Sequence, residues 1–215
     1  MTDPLDQLRR TGVLAVVRAP SAASALLASD ALVRGGVTGI EITFSTPDAP
    51  AVIAELISRY GEGAYTGAGT VTTPEQARQA ADAGARFLVC PGTRPELAAA
   101  MKQTGLTVMT GALTPSEIML AVESGVDVVK IFPASLGGPG FLKALRAPFP
   151  DAPLMPTGGV TPANLGEWFS AGAIATGAGG DLVSSADLAT GRYDEVERKA
   201  RSFAAAFAAV RGAES

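Results

Sequence analysis

Short apolar runs alternate with alanine-rich stretches along the whole 215-residue chain. The runs predict eight strands, at 13–18, 39–44, 64–71, 87–91, 107–112, 126–132, 152–158 and 173–177. Several lack any polar alternation, as strands covered on both faces should. The stretches between them predict helices, and the helix boundaries repeat one device. Thr46-Pro47, Thr73-Pro74, Thr114-Pro115 and Thr161-Pro162 each stand just before a helical stretch. Threonine accepts a hydrogen bond from a free N–H of the first turn, and proline at the first helical position forfeits no bond. The far ends carry Gly35-Gly36, Gly61, Gly84, Gly105, Gly125 and Gly172, glycine being the residue that most readily takes the left-handed conformation ending a helix.

The unit so defined is roughly 20–30 residues long, near the minimum for a βα unit, and it recurs about eight times. No linker or low-complexity segment divides the chain, which reads as one domain over residues 1–215. Eight βα units in one domain predict an α/β fold, a single (β/α)8 TIM barrel. A helix at 4–10 precedes the first strand and would cap the barrel floor; a last helix at 193–210 would close the ring. The competing architecture is a doubly wound open sheet, but its glycine fingerprint should follow the first strand. Here that strand runs into Val17-Arg18-Ala19-Pro20.

Composition narrows the chemistry. The chain has no histidine, so Ser-His-Asp and Cys-His catalysis and His-ligated zinc are excluded. Acid–base work must fall to a carboxylate, lysine, tyrosine or cysteine. The net charge of −4 and the absence of a basic cluster argue against nucleic acid. No apolar stretch reads as a membrane span, and 1–10 lacks the apolar core of a signal peptide. The single cysteine, Cys90, allows no internal disulfide and suits a reducing cytosol; in its apolar strand it reads as a buried structural thiol. With neither histidine nor a cysteine cluster, no transition-metal site is expected.

Of four lysines, three fall in helical stretches. Lys130 lies in the strand Val126-Asp127-Val128-Val129-Lys130-Ile131-Phe132. Alternation puts it on one face with Val126, Val128 and Phe132, and Val129 and Ile131 on the other. It also stands at the C-terminal end of its strand, where barrel active sites lie. Burial disfavours an ammonium ion, and a neutral amine can attack a carbonyl to form a Schiff base. The alternative is a buried structural ion pair, though such pairs stabilise poorly beside apolar packing. Glu41, in Gly39-Ile40-Glu41-Ile42-Thr43-Phe44, shares a face with Thr43. The aliphatic face suits the helix layer, which turns Glu41 inward, where strands two and six can meet across the ring. It would shuttle protons, or merely neutralise Lys130.

Arg18 ends the first strand and Thr70 the third, in Gly67-Ala68-Gly69-Thr70-Val71. Glycines there would let a substrate approach the backbone. Arginine suits a carboxylate or phosphate and threonine could bond a carboxylate; the alternatives are a surface charge and a turn residue. Thr157-Gly158-Gly159 and Gly177-Ala178-Gly179-Gly180 follow strands seven and eight, where barrels often bind phosphate through backbone N–H groups. Leu182 stands where a dinucleotide fingerprint would need its third glycine.

With Gly39-Ile40-Glu41-Ile42-Thr43, Gly67-Ala68-Gly69-Thr70-Val71, Val129-Lys130-Ile131-Phe132-Pro133 and Pro156-Thr157-Gly158-Gly159-Val160, the chain resembles the class I 2-keto-3-deoxy-6-phosphogluconate (KDPG) and 4-hydroxy-2-oxoglutarate (KHG) aldolases. The resemblance extends over about 8–210. It implies a (β/α)8 barrel, a homotrimer, no metal or other cofactor, and a phosphorylated keto acid as substrate. It also matches Lys130 to the Schiff-base lysine and Glu41 to the general acid/base. Arg18, Thr70, Pro91 and Phe132 match positions that hold the pyruvyl part or shape the pocket. Thr157, Gly158 and Gly159 match those holding the phosphorylated part. Two positions depart from the pattern: Ser45 replaces an arginine that helps bind the carboxylate in many members, and Gly180 a phosphate-binding serine, whose loss would leave the phosphate to backbone N–H groups and Arg18. Gly179-Gly180-Asp181-Leu182 also resembles the 6-phosphogalactonate-cleaving branch, whereas Glu41-Ile42-Thr43 follows the 6-phosphogluconate branch. The expected reaction is retro-aldol cleavage. A phosphosugar isomerase or epimerase, and a silent binder of phosphorylated acids, are the rival readings.

Overall fold

A computed structural model describes residues 4–213. Eight parallel strands form the barrel: β1 (Val13–Val17), β2 (Gly39–Thr43), β3 (Tyr65–Gly69), β4 (Phe87–Cys90), β5 (Thr107–Ala112), β6 (Val128–Ile131), β7 (Leu154–Pro156) and β8 (Thr176–Ala178). Each neighbours the next in sequence, and β1 also pairs with β8. The β7–β8 seam is closed by a parallel bridge, Thr157 to Gly177, and by Ile174 N–H donating to Leu154 O at 3.0 Å. This is the (β/α)8 TIM barrel.

The helices are α1 (Pro4–Thr11), α2 (Ala22–Arg34), α3 (Ala49–Tyr60), α4 (Pro74–Asp82), α5 (Pro95–Lys102), α6 (Pro115–Glu123), α7 (Gly138–Arg146), α8 (Leu165–Ser170), α9 (Ser185–Ala189) and α10 (Tyr193–Ala213). Two cores follow from the alternation of the strands. The larger lies between sheet and helices and holds Val17, Ile40, Ile42, Val129 and Ile131. The smaller fills the barrel with Leu14, Tyr65, Phe87, Val89, Met109, Val128 and Met155. Leu8 of α1 belongs to it and is fully buried, so the extra N-terminal helix does plug the floor.

Two of the four Thr-Pro boundaries form as predicted. Thr73 Oγ1 accepts from Gln76 N–H, and Thr114 with Glu117 makes a reciprocal capping box. The other two do not. Helix α3 starts at Ala49, after Asp48 at φ 55°, because the buried Thr46 hydroxyl instead accepts from Ala19 N–H at 3.1 Å, across the barrel rim. Helix α8 starts at Leu165, because Thr161 opens a turn whose N–H donates to Asn164 Oδ1 at 2.8 Å.

Strand ends differ as well. β6 begins at Val128, since the Asp127 carboxylate is held outside it by Lys102 and by Val108 N–H. Val126 therefore packs against the outer core instead of facing inward with Lys130. β8 begins at Thr176 rather than 173, because Ala173 N–H still bonds back to Trp168 O of α8.

Candidate active site

Lys130 of β6 and Glu41 of β2 meet across the barrel, as their alternation predicts. Both are buried, at 5% and 0% exposure. Lys130 Nζ lies 3.5 Å from Glu41 Oε1, within ion-pair range but long for a hydrogen bond. Neither carboxylate oxygen has a hydrogen-bond partner among the described residues. A fold that kept this pair for stability would surround the carboxylate with donors, because the cost of burying an ion is recovered only when its lone pairs are satisfied. Here those positions are open to a third group.

The space for Glu41 comes from β3. A Cβ on Gly69 would lie 2.0 Å from Glu41 Oε1, and one on Gly67 2.5 Å from the Phe87 ring. These glycines make room for inward side chains.

Other predicted positions gather at the same, C-terminal end of the barrel. The Phe132 ring centroid is 5.4 Å from Lys130 Nζ, and the ring is partly exposed, as is Pro91 at the end of β4. Thr157 follows β7. Its N–H donates to Ile131 O and its carbonyl accepts from Ala134 N–H, so its backbone is fully used. Its hydroxyl is buried and unpartnered. Gly158 and Gly159 take φ 95° and 73°, conformations costly for any residue with a Cβ. Asn164 Nδ2 clamps this loop by donating to Gly159 O at 2.8 Å.

After β8, Gly179 O accepts from both Leu182 and Val183 N–H groups, forming a tight turn. Cβ atoms at Gly179 and Gly180 would meet open space. Thr70 stands at φ 53° directly after β3. For a β-branched residue that is a strained conformation, and such strain gathers at functional sites. Arg18 is exposed and donates through Nε to Ser45 Oγ at 3.2 Å.

Sequence reasoning missed the surrounding braces. Asn164 was not singled out, and Thr46 was read as a helix cap rather than as the acceptor for Ala19 N–H. Arg94, which bonds Thr72 O between the loops after β3 and β4, was not singled out either. An Asn or Thr in a loop carries no signal of its bonding partner. Of the remaining lysines, Lys102 and Lys199 pair with Asp127 and Asp187 and are structural. Burial pushes the Cys90 thiol above its ordinary value, as an inert thiol should be. No group of three or more Cys, Asp or Glu side chains suited to a metal occurs among the described residues. Nor is any helix there long and apolar enough to cross a membrane.

The family model for KDPG and KHG aldolases matches residues 5–199. The 2-dehydro-3-deoxy-6-phosphogalactonate aldolase of Escherichia coli strain K12 is 35% identical over 94% of this chain and 95% of its own. The 2-dehydro-3-deoxy-phosphogluconate aldolase of Pseudomonas aeruginosa is 36% identical over 90% of this chain and 88% of its own. Among solved structures, a KDPG aldolase of Legionella pneumophila, with pyruvate captured at low pH as a covalent carbinolamine intermediate, superposes with a TM-score of 0.85. It is 29% identical, over 94% of this chain and 98% of its own. With its barrel closed around a buried lysine and glutamate and its sequence matched almost end to end, the chain belongs to the KDPG and KHG aldolase family and is an aldolase, a carbon–carbon lyase.

Proposed function

We propose that the chain cleaves 2-keto-3-deoxy-6-phosphogluconate to pyruvate and glyceraldehyde 3-phosphate through a Schiff base on Lys130. The observation that carries this reading is the buried Lys130–Glu41 pair, with the Glu41 oxygens left without hydrogen bonds. Neutral Lys130 Nζ attacks the C2 ketone to give a carbinolamine. Loss of water gives an iminium, which serves as the electron sink. Glu41 takes the proton of the C4 hydroxyl, directly or through water, and the C3–C4 bond breaks. Its electron pair passes into the enamine, and the aldehyde leaves. Protonation at C3 and hydrolysis of the iminium release pyruvate and restore the amine. The Phe132 ring and Pro91 would wall the pyruvyl part, and Thr70 would hold its carboxylate. Thr157, Gly158, Gly159, Gly179 and Gly180, with Arg18, would hold the phosphorylated end. The N–H groups of the four glycines make no hydrogen bond among the described residues, which leaves them available as anion donors.

Borohydride reduction in the presence of pyruvate tests the reading. The expected result is a pyruvate-dependent mass adduct on Lys130; a folded protein without it would overturn the mechanism. The 6-phosphogalactonate substrate is the second reading, favoured by the E. coli relative's activity and by Gly179-Gly180-Asp181-Leu182. Cleavage of 4-hydroxy-2-oxoglutarate to pyruvate and glyoxylate would use the same residues. Comparing kcat/KM for the three substrates decides among them.

The same proposal includes a homotrimer in the cytoplasm. In support, Leu136 is 72% exposed and lines an apolar groove with Leu113, Pro115 and Phe141 just beyond β6. Such a surface suits cover by another copy, and the mass in solution measures it.

A further inference from the structure

The last residue of β2 and the segment after it do more than connect the strand to α3. Three of its hydroxyls fasten the end of β1 around Arg18. On the N-terminal side of Arg18, Thr43 Oγ1 donates to Val17 O at 3.0 Å. On the C-terminal side, Ala19 N–H donates to Thr46 Oγ1 at 3.1 Å. Both threonines are buried, so the backbone on either side of Arg18 is pinned to β2 and its loop. The third hydroxyl, Ser45 Oγ, accepts from Arg18 Nε at 3.2 Å and stands 2.8 Å from Thr43 Oγ1.

The proton count fixes the direction of this chain of bonds. A hydroxyl has one proton to give. Thr43 gives its proton to Val17 O, so Ser45 must donate to Thr43. The Ser45 lone pairs are thereby turned toward Arg18. The relay runs Arg18 Nε to Ser45, Ser45 to Thr43, and Thr43 to the Val17 carbonyl, with every donor matched to an acceptor. Arg18 Nη1 and Nη2 make no bond among the described residues. The guanidinium is thus held by its inner edge, while its outer edge, with four N–H donors, is presented freely. β1 lies between β2 and β8, so the end of β1, which Arg18 follows, stands between this brace and the end of β8, which runs into the Gly179-Gly180 loop.

We infer that Ser45 is a positioning residue, which orients the Arg18 guanidinium through a one-way hydroxyl relay so that its free edge receives the terminal phosphate of the substrate. This rests on the aldolase reading given above and deepens it. In this role Ser45 acts through Arg18 and not on the substrate. A serine here replaces neither the charge nor the reach of an arginine; it makes Arg18 a fixed donor rather than a mobile one, which lowers the ordering cost of binding.

Two measurements test it. In the first, inorganic phosphate is titrated against the wild type, Ser45→Ala, Ser45→Thr and Arg18→Ala. Loss of one hydrogen bond of this kind is expected to weaken phosphate binding about three- to tenfold in S45A. S45T should bind like the wild type, and S45A should add little in an Arg18→Ala background. The Arg18 Nε–H resonance should lose its protection from exchange in S45A and keep it in S45T. In the second, KM for the phosphorylated substrate should rise by a similar factor in S45A, with kcat within about twofold. Borohydride trapping with pyruvate, which has no phosphate, should keep its wild-type rate. Unchanged phosphate affinity in S45A would overturn the inference, as would full additivity of S45A and R18A. A purely structural Ser45 would instead lower kcat and pyruvate trapping together and would add to R18A. A carboxylate-binding Arg18 would slow pyruvate trapping in S45A. If the wild type traps no pyruvate, the aldolase mechanism fails, and the phosphate titration still decides the relay.

Discussion

The position of the Glu41 carboxylate depends on one missing methyl group on the neighbouring strand, which makes Gly69→Ala a direct test of the site. A Cβ at Gly69 would lie 2.0 Å from Glu41 Oε1 and 2.6 Å from both Cδ and Cγ, where ordinary contact begins at 3.4 Å. The carboxylate must therefore retreat by about 1.4 Å or change rotamer. Gly69 itself is not among the glycines at positive φ, so alanine brings no backbone strain, and the nearest atoms its Cβ would meet all belong to Glu41. Overpacking a core typically costs about 1–3 kcal/mol, which for a chain of this size lowers Tm by roughly 2–4 °C per kcal/mol. Activity should suffer more. Misplacing a reacting group by about 1 Å can cost on the order of a hundredfold in rate, and Glu41 begins only 3.5 Å from Lys130 Nζ. Pyruvate release, measured beside a thermal melt, should show kcat down about a hundredfold in a protein still folded at 25 °C. Gly63→Ala is the control, because its Cβ would meet nothing within 4 Å. Wild-type kcat in Gly69→Ala would refute the assignment of Glu41 as the proton carrier.

Two further outcomes follow from groups away from the reacting centre. The Asp187 carboxylate is held below its ordinary value of 3.8, first by its hydrogen bond from Lys199 and then by Ser184. Its contribution to stability is therefore complete above that value and lost as pH falls through the lower, folded one. Asp187→Asn should lower Tm at neutral pH, and the difference from wild type should shrink on acidification below about pH 4; a constant difference would contradict this. The Cys90 thiol is raised above its ordinary value of 9.0, burial being the largest cause, so alkylation of the native protein at pH 7 should be far slower than in denaturant. Equal rates in the two states would show that the thiol is not sheltered.

The limits of the sequence pattern show at particular residues. Thr73 and Thr46 look alike, each followed by proline. Thr73 caps its helix, while Thr46 is taken by Ala19 N–H. A local motif offers a hydroxyl, and the partner that takes it depends on what the fold brings within reach. Val126 and Val128 share a parity, yet the Asp127 carboxylate keeps Val126 outside the strand. Gly67 and Gly69 were legible as special positions, but their purpose depends on Phe87 and Glu41, which come from other strands.

The sequence by itself determined the barrel, the inward faces of Lys130 and Glu41, and the end of the barrel at which Lys130 stands, because these follow from a period of two residues and from strand direction. Only the tertiary structure decided that the pair would meet at 3.5 Å with the carboxylate oxygens unbonded. It also decided that Ser45 would stand beneath Arg18, 27 residues away in sequence. Such contacts depend on strand register and on the space left by a neighbour's side chain, and neither is written in the local pattern.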